Sequence, residues 1–264
     1  MTEPSVDRIY RIRYRGAPRY VVEQEGTWRL VTGDIFSAYH VREEVSRDGA
    51  EVLAPVDPSK IVCVGLNYRE HAAEVGKPLP LTPLIFIKPS TTVVGPGQPI
   101  LIPPGIGRVD HEAELAVVIG RRACRVPVDR ADAYVLGYTC MNDVTARALQ
   151  RQGVGYTHAK GYDTFAPIGP CIAVGVDPTD LAVEGAVNGV RRQASRTSDL
   201  VFGVRDLVAF ISTIMTLLPG DIIATGTPPG IGSLEPGDTV SVTVEGIGTL
   251  SNPVRALPSD GAGA

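Results

Sequence analysis

Glycine and proline together fill 29 and 22 of the 264 positions, roughly a fifth of the chain against about 12% in average usage. Punctuation that dense leaves little room for long helices and predicts many short strands joined by turns. The length is enough to bury a substantial core without disulfides or metal. Apolar residues at 44% and charged residues at 20% exclude a disordered chain. No run approaches the roughly 18 apolar residues of a membrane span, and MTEPSVDRIY carries charges where a signal peptide has its apolar stretch. The expectation is a cytoplasmic protein with no membrane partner. A net charge of −4 without a basic block argues against nucleic acid. Cys63, Cys124, Cys140 and Cys171 form no C-x-x-C pair and sit among apolar neighbours, which predicts four buried thiols in a reducing compartment.

Residues 1–57 read as a small N-terminal β domain: RIYRIRYR with Ile9 and Ile12, a break at Gly16-Ala17-Pro18, then RYVVEQ and TWRLV, with Trp28 as its packed anchor. APVDPSK breaks the pattern, placing a boundary near residue 58. A second domain then spans 58–254, with a flexible tail over 255–264. Inside it, KIVCVGLNY is a buried strand ending at Gly65, REHAAEVG a short helix ending at Gly76, and KPLPLTP an extended loop, with Gly76 to Pro83 as a hinge. LIFIK, AELAVVIG, YVLGYT, GPCIAVGV, AVEGAVNGV, DIIATG and TVSVTVEG are strands, with Asn188-Gly189 as a hairpin turn. Two helices are expected: VTARALQRQG directly after Asp143, and DLVFGVRDLVAFISTIMTLLPG, capped by Ser198 or Asp199 and stopped by Pro219-Gly220. No repeat is visible, and the fold class is mainly β with few helices.

In VDHEAELAVVIG, Glu112 and Glu114 are two residues apart at the start of an apolar strand, so both project from one face. Like charges aimed at one point repel unless a cation lies between them. A third acid, Asp143, follows the strand YVLGYTC. Three carboxylates without His or Cys suit a hard divalent ion. Spacing alone equally allows a solvated strand face and a helix cap. His71 and Glu74 are three apart on a short helix, where a carboxylate can orient an imidazole into a general base, or simply decorate a surface.

IVCVGLNYREHAAEVG, LIFIKPST, HEAEL, NDVTAR, HAKGYDTFAPIGP and ATGTPPGIG follow one another in an order that resembles the fumarylacetoacetate hydrolase family from about residue 60 to 254. The resemblance implies a β-sandwich roll that binds Mg²⁺ or Mn²⁺ through Glu112, Glu114 and Asp143. It implies a lid carrying His71 and Glu74, a catalytic Lys160, and substrate contacts from Gln150 and Thr227. The substrates implied are small 2-oxo or enol acids, and the assembly implied is a homodimer. Leu66 stands in G-L-N-Y where acylpyruvate-cleaving relatives carry Arg. That favours isomerisation or decarboxylation of hydroxymuconate-type or 2-hydroxyhepta-2,4-diene-1,7-dioate-type diacids over an acylpyruvate hydrolase or oxaloacetate decarboxylase. An idle metal-binding scaffold is the reading outside enzymes.

Overall fold

The computed structural model describes residues 6–153 and 155–258. Among them the fold is mainly β, as the punctuation predicts. The strands Asp7–Tyr14, Ala17–Gln24, Thr27–Gly33 and Tyr39–Val45 form an antiparallel meander. Two of its turns, Arg15-Gly16 and Glu25-Gly26, have positive φ at both positions, the geometry that matches strand twist in two-residue hairpins. The first break therefore falls one residue before the expected site, and Pro18 lies inside a strand. Asn188-Gly189 makes the same kind of turn, as expected.

The meander is hydrogen-bonded into a larger sheet where Asp7, Arg8 and Ile9 pair with Val174, Ala173 and Ile172. From there the sheet continues through Ala166–Val174, Val135–Asn142, Ala113–Ile119, Ile222–Ala224, Ile61–Gly65 and Leu84–Lys88. A second sheet of Val190–Arg196, Ala182–Val187, Thr239–Val244, Gly248–Ala256 and Ile100–Ile102 lies across it. Leu115, Val117, Cys140 and Cys171 share one core with Val183, Val242, Val244 and Leu250. On the opposite face, Ala116 and Val118 pack with Ile61, Cys63, Met141 and Ile222. A strand buried on both faces reads as an unbroken apolar run, which is why AELAVVI shows no alternation. The last strand runs to Ala256, and residues 259–264 of the expected tail lie outside the described residues.

Both long helix expectations are corrected. After Asp143 the chain first adds Thr145 and Ala146 to a small sheet against Asp110 and Val109, and only Arg147–Arg151 are helical. The longer helix is Val204–Ile214, with Gly203 at its N-cap and the Asp206 carboxylate accepting from the Gly203 N–H at 3.2 Å. Ser198 and Asp199 belong to a separate 3₁₀ turn. The intervening residues are held extended by Asn67: its carbonyl accepts from the Val201 N–H, and its side-chain amide both donates to and accepts from Phe202. At the far end Leu217 pairs with Ala123, so the helix stops before Pro219. Of the four cysteines, Cys63, Cys140 and Cys171 are buried, but Cys124 is exposed. It lies between Arg122 and Arg125 on the surface connection that follows Gly120.

Candidate active site

Glu112 and Glu114 share the face of Ala116 and Val118. The register Glu114↔Met141 and Ala113↔Asn142 brings Asp143 opposite Glu112, and the Asp143 N–H donates to the Glu112 carbonyl at 2.8 Å. The Asn142 side-chain carbonyl accepts from the Glu112 N–H at 2.9 Å, closing the junction. On the other flank Ala116 pairs with Ala224, and the chain beyond that pairing sends the Gly226 N–H to Glu114 Oε2 at 2.8 Å. The three carboxylates offer ligand atoms within 4.8 Å of one another. They are only 5%, 1% and 1% exposed for Glu112, Glu114 and Asp143, so the solvated-face reading is set aside.

Cations surround two of the three. Lys160, on the short helix Tyr156–Lys160, donates to Glu112 Oε2 at 2.8 Å and Asp143 Oδ2 at 2.6 Å. Lys88 donates to Asp143 Oδ1 at 2.5 Å and to the Val144 carbonyl at 3.0 Å. The Arg147 guanidinium reaches Glu112 Oε1, Asp110 Oδ2 and Gln150 Oε1. Burial alone raises the Glu112 carboxyl, but Lys160 and Arg147 outweigh it and hold the group well below its ordinary range, with His71 adding to them. Burial likewise works against the Lys160 ammonium, yet Asp143 and Glu112 keep it charged.

Glu114 has no such partner. Burial, then the neighbouring Asp143 and Glu112, push its carboxyl well above the ordinary value. Among the described residues no side-chain cation touches it. A divalent ion among the three carboxylates would relieve this imbalance, and an all-oxygen donor set suits Mg²⁺ or Mn²⁺. The residues present fit the group.

The helix Arg69–Glu74 buries His71 near enough to Glu112 to add to the charges that lower its carboxyl. His71 Nδ1 is 2.9 Å from Glu74 Oε2, while Glu74 Oε1 accepts from the Gly230 N–H at 2.9 Å. The helix is thus tied down to the loop after Ile222–Ala224. Leu66, two residues ahead of the helix N-cap Tyr68, has φ 57°, a costly conformation for a branched side chain. Asn67 holds that elbow through Thr225 and Phe202.

The structure therefore gathers Glu112, Glu114, Asp143, Lys160, His71 and Glu74. Gln150 is half-buried, its carbonyl taken by Arg147 and its amide nitrogen without a protein partner among the described residues. The Thr227 hydroxyl is already engaged, donating to the Ala113 carbonyl at 2.9 Å and accepting from Gln193 at 2.8 Å. Sequence reasoning missed Lys88, Arg147 and Asp110. One signal was available: in LIFIK the lysine shares the face of Phe86, a core residue.

The family model for the fumarylacetoacetate (FAA) hydrolase C-terminal region matches residues 60–255. A crystal structure of 5-carboxymethyl-2-hydroxymuconate delta-isomerase from Mycobacterium smegmatis is 44% identical, covers 95% of this chain and 100% of its own, and superposes with a TM-score of 0.89. For 2-hydroxyhepta-2,4-diene-1,7-dioate isomerase from Mycobacterium marinum the values are 43%, 94%, 98% and 0.88. The mitochondrial oxaloacetate tautomerase Fahd2a of Rattus norvegicus is 41% identical over 222 residues, 80% of this chain and 71% of the rat protein.

Proposed function

The chain is an enzyme of the fumarylacetoacetate hydrolase family, and from that premise we propose that it is a divalent-metal-dependent isomerase of a 2-oxo or enol dicarboxylic acid of the hydroxymuconate or 2-hydroxyhepta-2,4-diene-1,7-dioate type. The observation that carries this reading is the buried His71, 2.9 Å from the Glu74 carboxylate through Nδ1 and near enough to Glu112 to help hold that carboxyl low. Two solved relatives carry isomerase names and a curated one a tautomerase name, while a solved relative from Exiguobacterium antarcticum, 33% identical, is named a fumarylacetoacetate hydrolase.

Glu112, Glu114 and Asp143 would hold the ion, Mg²⁺ or Mn²⁺. When bound it supplies Lewis-acid stabilisation of the negative charge that builds on the 2-oxo oxygen. His71 takes the proton of the substrate's 2-hydroxyl and returns it to the far carbon of the conjugated system, so that the dienol becomes the 2-oxo form with one double bond moved. Glu74 orients the ring through Nδ1 and balances the imidazolium. Lys160 spends two of its three N–H donors on Glu112 and Asp143, leaving one for a substrate oxygen. The free amide nitrogen of Gln150 is a second donor. Thr227, with its hydroxyl engaged, shapes the wall of the substrate site. The helix Arg69–Glu74 excludes water while the proton moves. The assembly we propose is a homodimer, which light scattering on the purified protein checks.

The test is a panel on metal-stripped protein with Mn²⁺ restored: oxaloacetate, acetylpyruvate and a 2-hydroxyhepta-2,4-diene-1,7-dioate, followed by absorbance. Loss of the diene chromophore with carbon count conserved supports the isomerase. Pyruvate from acetylpyruvate, or carbon dioxide from oxaloacetate, replaces it with the hydrolase or decarboxylase reading. Silence on all three overturns the substrate class.

A further inference from the structure

Outside the carboxylate cluster, one buried polar side chain touches two walls of the site at once. Gln193 lies on Val190–Arg196, in the second sheet, and is fully buried. Its Oε1 accepts from the Ala113 N–H at 2.9 Å and contacts His111 Nδ1 at 2.9 Å. Its Nε2 donates to Thr227 Oγ1 at 2.8 Å and to the Pro228 carbonyl at 2.7 Å. These four partners fix which end of the amide is oxygen, and so they place the His111 proton on Nδ1.

The partners belong to two different segments. His111 and Ala113 flank Glu112, and Ala113 precedes Glu114 directly. Thr227 and Pro228 open the loop whose Gly230 N–H donates to Glu74 Oε1. Thr227 closes the circuit by donating to the Ala113 carbonyl at 2.9 Å. The surroundings are shaped to admit this side chain. A Cβ at Gly185 would stand 2.8 Å from Gln193 Oε1, and one at Gly230 would stand 2.1 Å from the Arg192 carbonyl.

We propose that Gln193 is a positioning residue: it locks the Glu112-Ala113-Glu114 segment to the Thr227–Gly230 loop, so that carboxylate geometry and docking of the His71 helix are set by one side chain. This rests on the metal-dependent reading above. Partners that orient ligands from behind typically contribute 10- to 100-fold to metal affinity when intact. A fully buried amide with all its bonds made is a stiff joint, because every alternative leaves a polar group unsatisfied.

The experiment is Mn²⁺ titration by calorimetry on the full chain, paired with thermal melting of the metal-free protein. Gln193→Met keeps the length and removes all four contacts. Val183→Ala, a fully buried apolar position on the neighbouring strand of the same sheet, serves as the control for plain destabilisation. The expected result is Mn²⁺ affinity about 10- to 100-fold weaker in Gln193→Met and unchanged in Val183→Ala, together with faster amide exchange over residues 69–76 in the first only. If Gln193→Met does not fold, Thr227→Val removes the Gln193–Thr227 and Thr227–Ala113 bonds while keeping the Pro228 contact, and the expected result is a smaller loss of Mn²⁺ affinity in the same direction. Wild-type affinity in the clamp variant, or equal loss in Val183→Ala, overturns the role of Gln193 alone. Absence of Mn²⁺ uptake by the wild type overturns the metal reading, and this proposal with it.

Discussion

The N-terminal meander and the carboxylate site use ion pairs of the same chemistry to opposite effect. In the meander the charges sit at the rim: Arg13 and Glu51 pair at 2.7 Å with side chains 46% and 52% exposed, and Arg47 reaches Glu23 at 2.8 Å. What holds this region is apolar, with Trp28 packed on Tyr10 at 4.8 Å between ring centroids and joined by Ile12 and Val21. At the site, Lys88 and Asp143 pair at 2.5 Å with side chains 0% and 1% exposed. An exposed pair exchanges one set of solvated charges for another and gains little. A buried pair has already lost its water, so each member depends on the other. The meander is therefore tolerant in charge and intolerant in volume, whereas the site is intolerant in charge.

The sharpest way to break this contrast is Asp143→Ala, which leaves Lys88 and Lys160 buried beside fewer negative charges. We expect a loss of about 3–5 kcal/mol in denaturant unfolding together with loss of Mn²⁺ uptake; a loss below about 1 kcal/mol would place these charges in water. Next, His71→Ala should slow turnover by roughly 10² to 10⁴ while Mn²⁺ affinity by calorimetry holds, separating proton transfer from ion binding. On the other side of the comparison, Trp28→Ala should cost about 3–5 kcal/mol in stability and leave Mn²⁺ affinity untouched in the folded fraction.

A smaller effect comes from pH. In the metal-free protein Glu114 keeps its proton above the ordinary value of 4.5, so the unfolded chain releases it first and stability falls as pH rises from there toward the raised folded value. Glu112 works the other way, contributing stability above its ordinary range that is lost as pH drops through its lowered folded value. Since a bound cation takes the place of the Glu114 proton, the rise in melting temperature on adding Mn²⁺ should grow as pH rises above the ordinary carboxyl value of 4.5. A shift that shrinks with pH would contradict the Glu114 assignment. Smallest of all, Arg13→Ala should leave the melting midpoint unchanged within error.

Much of the site was legible because its pieces are local. Glu112 and Glu114 share a strand face, and His71 and Glu74 share a helix face, so spacing alone brings each pair together. The strands and the Asn188-Gly189 turn follow from apolar runs between glycines. Helix ends were the weakest part. Asn67 draws Phe202 into an extended segment 135 residues away, and Thr145 pairs with Asp110, and neither partner leaves a mark on the helical pattern itself. Apolar neighbours group Cys124 with the other three cysteines as buried, yet it lies between Arg122 and Arg125, exposed on a surface connection.

The sequence by itself determined the strand-rich class, the acids able to hold an ion and the histidine beside its carboxylate, since these rest on residue type and short-range periodicity. Only the tertiary structure decided that Lys88, Lys160 and Arg147 balance those acids, that Glu114 is left without a cation, and that Gln193 bolts two walls together. Those pairings join residues 17 to 82 positions apart in the chain, and what brings them within 3 Å is strand register and sheet stacking, which no local pattern encodes.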